Sequence, residues 1–212
     1  MRGIREKINN ALRKTIPASE VLRVMEWYDS IAPSYDVLYA REQRSKYVLI
    51  DKILKRMNGR VMDVGCGTAE FLLYVCERYS RNCFYVGIDL SFNLLSIARR
   101  KLASMTSDSN CIAEFIAGDL LYPPIRDSVK FNFILLMSVL RSTYGVSSIV
   151  KFYAENYLGN GGLLALTIMY ENENGVVHGS LCPEGASFAG KVRRNEVICL
   201  ITRSGGDEGD GG

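Results

Sequence analysis

The sequence predicts an α/β fold: three αβα layers around a doubly wound, seven-stranded, mostly parallel sheet, with an N-terminal helical cap. Three observations carry that prediction. Short apolar runs of strand type, Val61–Val64, Cys83–Ile88, Glu114–Ala117, Phe131–Met137 and Leu163–Met169, alternate with runs of helical period, as βαβ units require. The first run enters a glycine turn, Gly65-Cys66-Gly67-Thr68, where glycine permits positive φ and close backbone approach. Acids stand at or beside the ends of the first three runs, Asp63, Asp89 and Asp119, and open α/β sheets bind ligands at those strand ends.

At 212 residues the chain suits one domain with its own core. Its apolar runs fall far short of the ~20 residues that cross a bilayer, and its N-terminus lacks the apolar core of a secretory signal. Six cysteines, at 66, 76, 83, 111, 182 and 199, form no C-x-x-C pair and read as reduced, mostly buried thiols of a cytoplasmic protein. The single histidine, His178, has no Cys or His at ligand spacing, so no metal is expected. Residues 1–60 hold 13 Lys and Arg against 7 Asp and Glu, and the remainder holds 13 against 16. A basic first part suits RNA, although a solvated helix surface is the plainer account.

In chain order, Ile4, Ile8 and Leu12 among basic residues read as a short amphipathic helix. Pro17 opens a second helix, with Val21, Leu22, Met25, Trp27 and Tyr28 as its apolar face. Ile31-Ala32-Pro33-Ser34-Tyr35 breaks it, and a third helix is expected from about Arg41 to Met57, with Val48, Leu49, Ile53 and Leu54 inward and Asn58-Gly59 at its end. Thr68 is the expected cap of a helix beginning at Ala69, with Phe71, Leu72, Val75 and Tyr79 inward. Ser91 caps the next helix, where Leu94, Leu95, Ala98 and Leu102 face the sheet. Two prolines, Pro123 and Pro124, exclude regular structure after the third strand. Helix then covers Ile149–Tyr157, and the glycine-rich 158–162 breaks it before the fifth strand. Residues 171–195 show no 3.6-residue period and read as a hairpin or loop, Glu196–Thr202 is the last strand, and Gly205–Gly212 is an acidic tail with nothing to bury. The domains are therefore 1–57, a cap, 58–204, the sheet domain, and 205–212, the tail.

The turn departs from the dinucleotide pattern, because Glu70 replaces its third glycine. Asp63 and Glu70 would repel a pyrophosphate but tolerate a cationic ligand. The stretch from Val61 to Phe71 resembles motif I of the class I S-adenosylmethionine (SAM)-dependent methyltransferases. Asp89 follows Gly67 by 22 residues, the place of a ribose-binding acid in a βαβ unit. Ala117-Gly118-Asp119-Leu120 resembles the family's adenine-facing strand end, and Trp27 to Asp36 resembles the "Y-D-x-I-A-x-x-Y-D" entry of small members, quinone-biosynthesis enzymes among them. The resemblance covers roughly residues 58–170. It implies a Rossmann-like fold, SAM as cofactor, and methyl transfer by in-line displacement. Asp63, Gly65, Cys66 and Gly67 then face the methionine part, Asp89 the ribose with Leu90 beside the adenine, and Asp119 and Leu120 the adenine. Met137 lies beneath the transferring methyl, and Tyr28 and Tyr35 close over the cofactor. For Asp89 and Asp119 the plainer role is capping of their turns.

No catalytic residue is legible. After the fourth strand, Met137-Ser138-Val139-Leu140 lacks both the [N/D/S]-P-P-[Y/F] motif of amino-methylating enzymes and the Pro-Cys of RNA cytosine-C5 enzymes. The acceptor is expected on a small molecule or RNA. The rival readings are an RNA methyltransferase and a non-catalytic SAM-fold subunit supporting a partner. A nicotinamide dehydrogenase is disfavoured by Glu70.

Overall fold

The computed structural model describes residues 16–79, 82–104, 110–171, 182–193 and 195–204. The stripe at Ile4, Ile8 and Leu12, the lone His178, and the tail at 205–212 lie outside them. Seven strands, β1 (Gly59–Val64), β2 (Asn82–Asp89), β3 (Asn110–Ala117), β4 (Phe131–Arg141), β5 (Leu158–Met169), β6 (Ser187–Arg193) and β7 (Glu196–Thr202), form one sheet in the order β3-β2-β1-β4-β5-β7-β6. The first five are parallel; β7 runs antiparallel to β5, and β6 antiparallel to β7. β6 falls within 171–195, which therefore ends as one arm of the expected hairpin.

Alternation along the strands builds two cores. Met62, Val64, Ile134 and Leu136 face one side, where they meet Ile149, Phe152 and Tyr153 of helix α6 (Val146–Asn156). Val61, Tyr85, Phe133 and Leu135 face the other, against α4 (Glu70–Arg78), α5 (Phe92–Ser104) and the cap. The parallel order reverses between β1 and β4, which opens a crevice at the C-terminal strand ends.

The cap consists of α1 (Ala18–Ile31), a 3₁₀ turn at Ala32–Ser34, α2 (Tyr35–Leu49) and the short α3 (Asp51–Leu54). Several expectations need correction here. The third helix begins at Tyr35, not near Arg41, because Ala32-Pro33-Ser34 folds into a single tight turn and the chain re-enters a helix at once. Val48 and Leu49 are exposed, whereas Gln43, Lys46 and Tyr47 are buried; the inward face of α2 is polar, so apolar periodicity misplaces it. Leu22 and Trp27 are likewise exposed, and α1 buries none of its residues. Residues 158–162 pair as part of β5 through a register shift.

The cysteines also differ from expectation. Cys83 and Cys111 stand in register on β2 and β3 with Cα atoms 4.4 Å apart and form a disulfide; Cys182 and Cys199 form another. Sequence separations of 28 and 17 hide such partners. The reduced-thiol argument for a cytoplasmic location therefore falls. Among the described residues no helix is long and apolar enough to cross a membrane.

Candidate active site

The glycine turn is held by strand pairing. The N–H groups of Gly65 and Cys66 both reach the Ile88 carbonyl, at 2.7 and 3.1 Å. Gly65 and Gly67 have φ of +76° and +54°, and a Cβ on Gly65 would sit 2.1 Å from Val139 Cγ1. Ala69 takes φ +61° and α4 starts at Glu70. Thr68 does not cap it: the Thr68 hydroxyl instead donates to Asp36 Oδ1 at 2.5 Å.

Asp89 is buried, and both of its oxygens accept backbone N–H groups, Oδ2 from Gly67 at 2.8 Å and Oδ1 from Ser91 at 2.9 Å. It thus fixes the turn and the start of α5, and the carboxylate keeps acceptor capacity for a ligand. Burial raises its pKa to about 6 against the pull of the Ser91, Gly67 and Leu90 N–H groups. Asp63 is held at about 7, chiefly by burial, although the Tyr85 hydroxyl donates to Oδ2 at 2.6 Å and lowers it; the charge of Asp89 adds to the rise. Asp119 Oδ1 accepts from Leu121 N at 2.9 Å, closing the turn before the prolines.

A cavity of about 600 Å³ opens here. Asp63, Gly65, Cys66, Asp89, Leu90, Asp119, Leu120, Met137, Tyr28 and Tyr35 all line it. Gly67 does not: it packs against Tyr35, and a Cβ there would be 3.2 Å from the Tyr35 hydroxyl. Burial pushes the Cys66 thiol well up, which keeps it protonated and inert. Glu70, expected to oppose a pyrophosphate, is turned away. It accepts from Arg44 Nε at 2.5 Å and faces Lys101 at 3.4 Å, so the carboxyl groups that would meet an anion in the cavity are those of Asp63 and Asp89.

The cap is fastened by the two aspartates of the Y-D-x-I-A-x-x-Y-D stretch, to which the resemblance assigns no role, and by Arg44 and Lys46, which belong to no motif. Asp29 accepts from Ser91 Oγ at 2.5 Å and Asn93 N at 3.3 Å. Asp36 pairs with Lys101 at 2.7 Å. Arg44 also reaches Glu77 through two bonds of 2.7 and 3.0 Å. The two aspartates of the Tyr28-Asp29 and Tyr35-Asp36 pairs therefore clamp the cap, while the tyrosines face the cavity, their rings 6.0 Å apart. Lys46 is buried, with Nζ 2.6 Å from Ser138 Oγ, 2.8 Å from Glu196 and 3.2 Å from Glu42. Ser138, like Lys46, lines the cavity. The spacing of a lone buried cation on a helix carries no signal of these partners.

Residues 61–157 match the family model described as a methyltransferase domain. Over that segment the chain is similar to a methyltransferase domain. It spans the turn, the three acids and β4, so the motif-bearing wall of the cavity lies inside it. The domain's relatives include the ubiquinone/menaquinone biosynthesis C-methyltransferase of Geotalea daltonii, 29% identical over 87 residues, which are 39% of this chain and 37% of that protein. The demethylmenaquinone methyltransferase of Bacillus cereus is 23% identical over 134 residues, 61% of this chain and 55% of that one. The chain spans about half the length of such relatives or less. Among solved structures, the magnesium protoporphyrin IX methyltransferase of Synechocystis with bound SAM superposes with a TM-score of 0.58 at 17% identity, over 87% of this chain and 97% of that one. A cyclase, SpnF, superposes at 0.63 with 14% identity, over 86% and 96%. These structures share the fold of the methyltransferase domain.

Proposed function

We propose that this protein is a SAM-dependent methyltransferase acting on a small-molecule acceptor. The observation that carries the reading is the convergence of Asp63, Asp89 and Asp119, from three adjacent strand ends, on one cavity beside the glycine turn. The residues fit the cofactor. Asp89 keeps acceptor capacity for a ligand hydroxyl, and Asp63 offers a buried carboxylate suited to a cationic group. When bound, SAM supplies a methyl group already activated by its sulfonium. The protein's part is to orient, to exclude water and to present the acceptor. Tyr28 and Tyr35 cover the turn from the cap and bring apolar faces against it. We read the cap as beginning before Ala18 and ending near residue 57.

A volume of about 600 Å³ is in the range of small-molecule sites, and residues of the cap form one of its walls. Relatives named for quinone biosynthesis support a ring compound as acceptor. A cyclase with this fold shows why activity has to be argued from the site. Incubation of the protein with methyl-labelled SAM and a metabolite or RNA extract of its source cells tests the reading. Label in a small-molecule product supports it. Label in RNA would move the acceptor class, and no label with no SAM binding would overturn the proposal.

A further inference from the structure

The ligand-binding acids sit at the ends of β1, β2 and β3, whereas β4 lies on the other side of β1 in the sheet. The cavity beyond Met137 is therefore left for the acceptor. There Ser138 takes φ +63°, a left-handed conformation that a non-glycine residue adopts at a cost. It is held by its own N–H, which donates to Thr167 Oγ1 at 2.7 Å, and by the register shift of β4 against β5 between Leu136 and Leu140. The result turns the Ser138 hydroxyl toward the cap. Lys46 Nζ donates to Oγ at 2.6 Å and Gln43 Nε2 at 3.1 Å, which occupies both lone pairs of the hydroxyl. Among the described residues the acceptor recorded for its proton is Gln43 Oε1 at 3.3 Å, long for an O–H···O bond.

A hydroxyl that accepts twice, once from an ammonium, is a strengthened donor, and this one lines the cavity. Arg23, Lys46, Arg141 and Arg193 line the cavity beside Glu20 and Glu42, and the other acids that line it, Asp63, Asp89 and Asp119, stand at the strand ends read as the cofactor's part. We propose that Ser138, polarised by Lys46, donates a hydrogen bond to the oxygen of an acceptor bound as an oxyanion, a phenolate or enolate. The inference rests on the methyltransferase reading of the cavity. The acceptor's proton goes to solvent on binding. The methyl then forms its bond to the acceptor's oxygen or conjugated carbon, and the electron pair of the broken carbon–sulfur bond stays on sulfur. The cationic cofactor and anionic acceptor thus give two neutral products, or a C-methylated ketone tautomer of equal charge, and no protein base is required. Ser138 is the catalytic residue of this scheme, and Lys46 is a positioning residue.

The probe is 4-nitrophenol, whose phenolate is coloured, bound to the full chain saturated with S-adenosylhomocysteine. The pKa of the bound phenol is expected to fall by about one unit, close to a tenfold preference for the anion. Ser138→Gly, which suits φ +63° and deletes the hydroxyl, abolishes that fall while S-adenosylhomocysteine affinity and melting temperature hold. Ser138→Asn, which tolerates the left-handed backbone and carries an N–H donor, restores part of it. Lys46→Met combined with Glu196→Leu removes both buried charges together and returns the bound pKa part of the way toward its free value. Retention of the full shift in Ser138→Gly, or no anion binding by the unmodified protein at millimolar probe, overturns the proposal. Failure of S-adenosylhomocysteine itself to bind points instead to failure of the underlying methyltransferase reading.

Discussion

The two walls of the cavity are built by different means. The strand-end wall is made largely by backbone: a glycine turn bonded to the Ile88 carbonyl, Asp89 fixed by the N–H groups of Gly67 and Ser91, and Asp119 by that of Leu121. The cap wall is made at long range, by side chains separated by tens of residues, Asp29 with Ser91, Asp36 with Lys101, Arg44 with Glu70 and Glu77, and Lys46 with Glu196. A wall built from backbone geometry tolerates most changes except at glycine. A wall built from ion pairs fails one pair at a time.

The largest effect belongs to Lys46. Glu196 is almost wholly buried and faces it at 2.8 Å, so Lys46→Met leaves an uncompensated buried charge and should cost about 3–5 kcal/mol. Urea denaturation measures this, and adding Glu196→Leu should recover most of the loss. Recovery of nothing would mean that the lysine acts through packing alone. Next, Asp29→Ala removes the bonds from Ser91 and Asn93 that hold α1, a helix with no buried residue. It should cost roughly 1–2 kcal/mol and raise the rate of proteolytic cleavage within residues 18–31 before the sheet domain unfolds.

The strand-end wall answers to pH. Asp63 and Asp89 titrate at about 7 and about 6 when folded, above the ordinary carboxylate value. The folded protein therefore holds protons that the unfolded chain releases, and stability falls as pH rises from about 4 through about 7. Urea midpoints for the ligand-free protein should be lower at about pH 8 than at about pH 5 if these two groups dominate, and Asp89→Asn should flatten the trend. A cation bound beside Asp63 stabilises its charged form, so SAM affinity should rise over the same interval. The smallest effect is at the tyrosines. Tyr28→Phe and Tyr35→Phe keep the rings and delete hydroxyls; a several-fold loss of SAM binding in at least one, at unchanged melting temperature, is expected if they act as a lid. Equal binding in both would reduce the rings to packing.

That difference also sets what could be read from the chain alone. The sheet, the turn and the three acids were legible because glycine spacing and strand periodicity are local signals. Ten of the eleven residues assigned to the cofactor line the cavity, and Gly67 packs against Tyr35. The start of α2, the inward face with Gln43 and Lys46, and the disulfides were not legible. The disulfides join cysteines 28 and 17 residues apart, Gln43 and Lys46 meet partners 95 and 150 residues away, and the start of α2 follows from a tight turn that carries no apolar period. Glu70 misled for the same reason, since its charge is spent on Arg44 and Lys101, which its neighbours in sequence do not reveal. Thr68 misled because its hydroxyl went to Asp36.

The central claim is that Asp89 holds the cofactor at the strand-end wall. Since Asp89 also fixes the turn through Gly67 and Ser91, Asp89→Asn is the cleaner variant, keeping one acceptor oxygen and removing the charge. Titration calorimetry with S-adenosylhomocysteine should give a dissociation constant at least about tenfold weaker than that of the unmodified protein, a loss of roughly 1.4 kcal/mol, as expected when a charge-assisted bond becomes a neutral one. Equal affinity in the two proteins would contradict it.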